Sequence, residues 1–327
     1  METRSRRPRR FALLTAALAL LAALALGVSA CGDDEEARQT LDRAFRAPIG
    51  SADVALDTSV RVQGVRQLER PISLRVRGPY RSGGERQIPS ADLAVNLTAQ
   101  GQSFAAGLIS NGSNAWVEFL GQAYEVGERT VSQANQQIAA SAGQRQQRSL
   151  RAFGVDPRSW LVDPSVEGET RVAGADTTHI SAGLDVAKML DDLNRLSQRA
   201  GGQAGVAPRQ LTQEQRDRVE RIVQDPKFDV FVGKDDKVRR LATVLDLEVP
   251  EEDRRAAGGA ESGRITFSIE FSNVGRPGPI RPPQDARPIK DLTAQVARML
   301  GAGAGAGAGG AGGGGGAGGL PAPTPGG

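Results

Sequence analysis

What most constrains this chain is a two-residue alternation of apolar and polar side chains that recurs between residues 54 and 271. Val54, Leu56, Thr58, Val60 and Val62 alternate with Asp53, Ala55, Asp57, Ser59 and Arg61, the signature of a strand with one face in a core. Ile72, Leu74 and Val76 repeat it against Ser73, Arg75 and Arg77, followed by Leu93, Val95 and Leu97, and after Gly101 by Phe104, Ala106 and Leu108. Asn111-Gly112 is a hairpin signal leading into a strand from Trp116 to Leu120, with a short one from Gln122 to Val126 behind it. Glu169 to Ala173 and Asp176 to Ala182 make a second hairpin across Gly174. Phe228, Val230 and Val232 pass through a turn at Gly233 to Lys237 into Leu241, Thr243, Leu245, Leu247 and Val249. Ile265, Phe267, Ile269 and Phe271 give the cleanest alternation. The pattern predicts about eleven strands, nearly all apolar on one face only.

Helical spacing appears between these runs. Ala37, Leu41, Ala44 and Phe45 form a short amphipathic helix over residues 36–46 that ends before Pro48. Thr130 to Leu150 is Gln-, Ala- and Arg-rich, with a thin stripe of Val131, Ala134, Ile138 and Ala142. Asp156-Pro157 starts a helical turn holding Trp160 and Leu161. Val186, Met189, Leu190, Leu193 and Leu196 fall on one helical face. Thr212 and Gln215 form a capping box for a helix through Val219, Ile222 and Val223. A last helix runs from Ile289 to Leu300. Antiparallel strands in runs, with helices between and at both ends, predict an α+β fold. A long antiparallel sheet with one apolar face must cover that face. These helices are too few and too weakly apolar to fill such a sheet, which implies an apolar cavity between them; a solid core is the alternative.

The termini are of another kind. Five arginines between Arg4 and Arg10 precede an apolar run from Phe11 to Val28, and Val28-Ser29-Ala30 leads to Cys31, the single cysteine of 327 residues. Positive flank, apolar helix and small-residue site are the order of a secretory signal. A cysteine placed directly after that site resembles a bacterial lipobox, in which the cysteine is acylated and becomes the mature N-terminus. An uncleaved anchor is the alternative, since the apolar run just reaches a spanning length. Arg9-Arg10 also hints at twin-arginine export. The expected layout is a lipoprotein signal peptide over residues 1–30, then lipidated Cys31 with an acidic linker and short helix to residue 50. A sheet-plus-helices domain follows over 51–300, and a disordered Gly/Ala/Pro tail over 301–327. Outside the first 30 residues the chain carries 36 basic against 37 acidic groups, so nucleic acid is not an expected partner. One cysteine and one histidine exclude a disulfide framework and cysteine- or multi-histidine metal sites.

Two stretches carry a resemblance. Gly168 to Ile180, GETRVAGADTTHI, and Phe228 to Leu241, FDVFVGKDDKVRRL, resemble hairpins of the LppX/LprAFG-type lipoproteins of actinobacteria, within the LolA/LolB-like superfamily of envelope lipid and lipoprotein carriers. Phe231 stands where that pattern has Trp, and Gly233 where it has Asp. The resemblance implies a strongly curved antiparallel sheet, a half-open barrel wrapped around helices, a cell-membrane lipoprotein on the extracytoplasmic face, and a lipid or acyl ligand. By the same resemblance the cavity would be lined by Val54, Leu56, Leu93, Val95, Phe104, Leu108, Val230, Leu245, Phe267 and Ile269, with Met189 and Leu193 facing them from a helix. Each of these fits plain core equally well.

No catalytic constellation emerges, and no cofactor, metal site or enzymatic activity is expected. His179 shares its strand face with Thr177 and Ser181, but its own stretch supplies no acid to orient the ring, so a structural hydrogen bond is the expected role. Asp235-Asp236 lies in a tight turn without a calcium ladder. Asp191-Asp192 complements a helix dipole. Two readings follow: a membrane-anchored carrier of an apolar ligand, or a non-enzymatic envelope binding or sensory module of the same fold with a filled core. The protein partner of such a module is not named by the sequence.

Overall fold

The computed structural model describes residues 29–66, 68–84, 86–142, 157–192 and 212–305. Its frame is a twelve-stranded sheet: β1 Ser51–Gln63, β2 Ile72–Arg81, β3 Ser90–Ala99, β4 Gln102–Asn111, β5 Ala115–Phe119, β6 Gln122–Glu125, β7 Leu161–Val172, β8 Ala175–Leu184, β9 Val223–Gly233, β10 Val238–Glu248, β11 Ser262–Ser272 and β12 Ala286–Pro288. The order across the sheet is β12-β6-β5-β4-β3-β2-β1-β11-β10-β9-β8-β7, so the two edges do not meet and the sheet stays open. Every pairing is antiparallel except that of β12 with β6. The α+β class and the antiparallel sheet are as the alternation requires. The strand beyond the expected eleven is β12, three residues in a proline-rich stretch that shows no alternation.

Six helices accompany it among the described residues: α1 Ser29–Arg46, α2 Glu128–Ala142, α3 over residues 186–192, α4 Gln213–Ile222, α5 Glu251–Arg254 and α6 Ile289–Gly305. A 3-10 turn, Pro157–Trp160, leads into β7. Helix α1 starts at Ser29, seven residues before the expected start, so Gly32 to Glu36 is helical and not an extended linker. Strand β7 also begins earlier than expected, at Leu161. Its pairing with β8 slips twice, between Val162 and Ser165 and between Val166 and Gly168, and those bulges hide the strand's period. The short α5 has no counterpart in the sequence pattern, and α6 runs on to Gly305. Gly143 to Leu150 in the expected Gln-rich helix, together with Leu193 and Leu196, lies outside the described residues.

Local chemistry explains the element ends. Thr212 and Gln215 form the full capping box of α4, each side chain bonding the other's backbone. Gln100-Gly101, Leu120-Gly121 and Ala173-Gly174 are two-residue hairpin loops with positive φ at both positions. Asn111-Gly112 behaves differently. The Asn111 Oδ1 accepts from the Ser113 and Asn114 amides, so the loop closes over three residues. Gly78, at φ +147, lets the backbone of β2 approach β3 so closely that a Cβ would lie 1.8 Å from the Asp92 carbonyl oxygen.

The packed core is lopsided. Ala37, Leu41 and Ala44 of α1, Trp160, Val186 of α3, and Ile180, Leu184, Phe228, Val230, Val232, Val238 and Leu245 of β8–β10 form one buried cluster. Helix α1 lies on β7 and β9, α4 on β9 and α6 on β6. The Trp160 Nε1–H donates to the buried Asp192 Oδ2 at 2.8 Å, pinning α3 to the turn before β7.

Candidate apolar face of the sheet

Register decides which side chains share a face. Across β1 and β11, Val54 faces Phe271, Leu56 faces Ile269 and Thr58 faces Phe267. Leu56 meets Val76 on β2, Val76 meets Val95 on β3, Leu93 meets Leu108 on β4 and Leu97 meets Phe104. On the other side Ile269 meets Leu241, which meets Val230 on β9, which meets Ile180 on β8. Directly paired residues point to the same side. All ten strand residues expected to line a cavity therefore lie on one continuous apolar face.

They do not share one environment. Val230 and Leu245 are 0% and 5% exposed and belong to the packed core, with Met189 of α3 partly buried against it. Val54, Leu56, Leu93, Val95, Phe267 and Ile269 are half-buried. Phe104 and Leu108 are 47% and 46% exposed, and the neighbouring Leu97 is 39% exposed. Leu193 falls outside the described residues. The face thus divides into a covered part, β8 to β10 together with the ends of β1, β3 and β4 where Ala52, Ala91 and Ser110 are buried, and an open half from β11 to β4 that is most exposed at Leu97, Phe104 and Leu108. Two pockets of about 420 and 480 Å³ lie elsewhere: one beside α2, lined by Arg86, Ser113, Glu128, Ser132, Asn135 and others, and one between α1 and the start of β7. Each contains charged groups, and the second reaches the apolar face only at Leu161, at the start of β7.

The opposite face is polar along its centre, though Ile109 and Trp116 are buried on it at β4 and β5. Asp57 receives Arg77 Nη2 at 2.7 Å and Arg75 Nε at 3.3 Å, the Ser59 and Thr266 hydroxyls meet at 2.8 Å, and Arg264 pairs with Asp246. The Asp246 carboxyl is held below its usual range by the hydrogen bond from Arg264. His179 sits on this face, its Nε2 2.7 Å from Asp229 Oδ1 and its ring stacked on Phe231 at 4.5 Å, with the Arg240 guanidinium 6.0 Å from the Phe231 centroid. The acid that orients the ring comes from the adjacent strand, fifty residues away, where the sequence offers no local signal. Thr177 donates to the Thr170 carbonyl. That is an anchoring arrangement with no nucleophile on the imidazole.

The turn acids are occupied too. Asp235 takes Arg239 Nη2 on both oxygens at 2.9 Å; burial raises its carboxyl, but Arg239 and Lys237 outweigh this and leave it below its usual value. Asp236 accepts from Arg43 at 3.0 Å. Asp191 pairs with Arg216 at 3.0 Å, while Asp192 is taken by Trp160, so their role exceeds a dipole complement. Among the described residues no group of three or more His, Cys, Asp or Glu side chains is placed to hold a metal, and no helix is long and apolar enough to cross a membrane.

An open antiparallel sheet with one apolar face, half covered by helices, defines the class. Solved structures similar to the chain include members of the group that the two hairpins resemble. Mycobacterium tuberculosis lipoprotein LppX is 15% identical over 76% of this chain and 97% of its own, with a TM-score of 0.36. LprF from Mycobacterium bovis is 14% identical over 77% and 98%, with a TM-score of 0.37. The LolA superfamily protein NE2245 from Nitrosomonas europaea is 11% identical over 72% and 94%, with a TM-score of 0.20. No protein-family pattern and no curated protein matches the chain. At these values fold, ligand and site rest on this molecule's own geometry.

Proposed function

We propose that the chain is an extracytoplasmic lipoprotein, anchored through acylated Cys31, that binds an acyl or other lipid ligand on the open half of its apolar sheet face. The observation that supports this most is the division of that face: Val54, Leu56, Leu93, Val95, Phe104, Leu108, Phe267 and Ile269 continue the core's apolar surface beyond the strands on which α1 and α4 lie. Exposed apolar surface of this extent is costly in water and is kept where something binds it. Each methylene buried there contributes about 0.8 kcal/mol, so an acyl chain gains affinity without a polar contact. Val230, Leu245 and Met189 act as the floor that holds the face in shape. The chemistry is binding and carriage, with no cofactor and no bond made or broken.

The test is competition with a fluorescent fatty-acyl probe. Val95→Glu on the apolar face should weaken probe binding about tenfold or more, because a carboxylate would be buried under the chain. Asn96→Glu, one residue on and facing the other way, should leave it unchanged. Equal affinities for both variants would point instead to a module that binds an envelope protein.

A further inference from the structure

The same topology that aligns the apolar face also sorts the turns into two rims. On one rim lie the β1–β2, β3–β4, β5–β6 and β10–β11 connections, the start of β7 and the end of β8; on the other lie the β7–β8 and β9–β10 turns. Helix α1 runs between the rims. Arg43 reaches Asp236 in the β9–β10 turn at 3.0 Å, whereas Arg38 lies 3.9 Å from Asp163 near the start of β7. The N-terminus of α1 therefore points toward the first rim, and Cys31, seven residues before Arg38, lies about 10 Å further out along the helix axis.

The part of that rim between β3 and β6 is chemically distinct. Its two adjacent hairpin tips, residues 97–105 and 119–124, contain no charged side chain, in a chain that is 24% charged. They hold Leu97, Phe104 and Leu120, exposed by 39%, 47% and 62%. Val162, on the same rim, is 45% exposed. Leu120 stands at φ +50 in a two-residue loop, a position where asparagine or glycine is the stable choice and leucine is strained. Nothing in the fold rewards a leucine there, since its side chain meets water. Arg70 of the β1–β2 connection flanks the first tip, its Nη1 3.1 Å from where a Gly101 Cβ would be, and supplies a cation of the kind that meets lipid phosphates. Charge on this rim is gathered in the β10–β11 connection, where α5 holds Glu251, Glu252, Asp253 and Arg254, and the opposite rim carries Lys234, Asp235 and Asp236 in its β9–β10 turn.

We infer that this rim is a membrane-docking surface: Leu120, Phe104 and Leu97 enter the interfacial layer of the bilayer that holds the anchor, with Arg70 beside the phosphates. The partner is a lipid surface. Side chains that seat 5–10 Å deep at a headgroup boundary are of this composition. Docking in this way turns the open end of the apolar face toward the membrane, so that a ligand passes between bilayer and sheet without crossing water. The inference rests on the anchored-carrier reading and gives it an orientation.

The full chain in phosphatidylcholine–phosphatidylglycerol vesicles brominated near the headgroup tests this. Leu120→Trp reports from the tip, and Phe104→Trp reports from relaxed strand backbone should the strained position refuse tryptophan. Lys234→Trp reports from the opposite rim and Phe267→Trp from mid-sheet. The native Trp116 and Trp160 are buried, and their emission is subtracted from the parent chain. The expected result is loss of about half the tip emission, no loss at Lys234→Trp, and a smaller loss at Phe267→Trp. Adding Leu120→Asn to Phe104→Trp should relieve quenching while leaving the melting temperature unlowered, because asparagine suits the loop. Quenching of Phe267→Trp equal to that of the tips would mean bromolipid bound as cargo; it would overturn the docking surface and leave the carrier reading intact. No quenching at either tip overturns it as well, and the mass of the N-terminal peptide reads acylation of Cys31 separately.

Discussion

Leu245 and Leu108 lie on the same face of the same sheet, and truncating each to alanine should separate the covered half from the open half. Leu245 is 5% exposed within the packed cluster of β8–β10, α1 and α3. Leu→Ala removes three carbons, about 2.4 kcal/mol at about 0.8 per buried methylene. A cavity left in a rigid core adds more, bringing Leu245→Ala to about 3–4 kcal/mol. Leu108 is 46% exposed, so about half the transfer term applies, and a site open to water leaves no void. Leu108→Ala should cost about 1 kcal/mol. Urea unfolding of both variants beside the parent measures this, with unchanged slopes taken as the sign that only stability has moved. Equal costs near 3 kcal/mol would refute the reasoning, since Leu108 would then be packed as tightly as Leu245.

Gly78→Ala places a methyl 1.8 Å from the Asp92 carbonyl at a φ that alanine avoids, and should destabilise by about 3 kcal/mol in the same urea assay. Thr212→Ala removes the α4 capping box and should cost about 1 kcal/mol, with Thr212→Asn retaining most of it; equal losses in the two variants would count against the cap. Acid should destabilise the fold through Asp253, whose carboxyl is lowered first by Arg221, despite opposing desolvation, and then by Arg218. A group depressed in the folded state stabilises above its unfolded value of about 3.9 and loses that contribution as pH falls through the folded value. The urea midpoint should therefore drop between pH 5 and pH 3, and less so in Asp253→Asn; identical pH profiles for variant and parent would contradict this.

The faces of the strands were legible because alternation is a local property, and one apolar partition from Val54 to Phe271 survives translation into register. Where local signal is thin, reading stopped. The bulges at Pro164 and Gly168 break the period of β7, and three residues of β12 have none to show. The run Gly32 to Glu36 looks like a polar linker because its composition is that of one, yet it continues a helix already nucleated by Ala37, Leu41 and Ala44 packing on the sheet. Contacts between distant segments were invisible for the same reason. Asp229 meets His179 only because β8 and β9 pair, and Trp160 meets Asp192 only when α3 folds onto the turn before β7. The site was readable as a set of side chains on one face. Its division into covered and open halves was not, because which helix covers which strand depends on tertiary packing.

Whether the open half of the face holds a lipid is decided most directly by native mass spectrometry of the chain released from its membrane, followed by organic extraction. A mass exceeding the chain by one lipid, recovered in the extract and absent from Val95→Glu, is the predicted result. A bare chain mass that stays bare after incubation with phospholipid and fatty acid would contradict it.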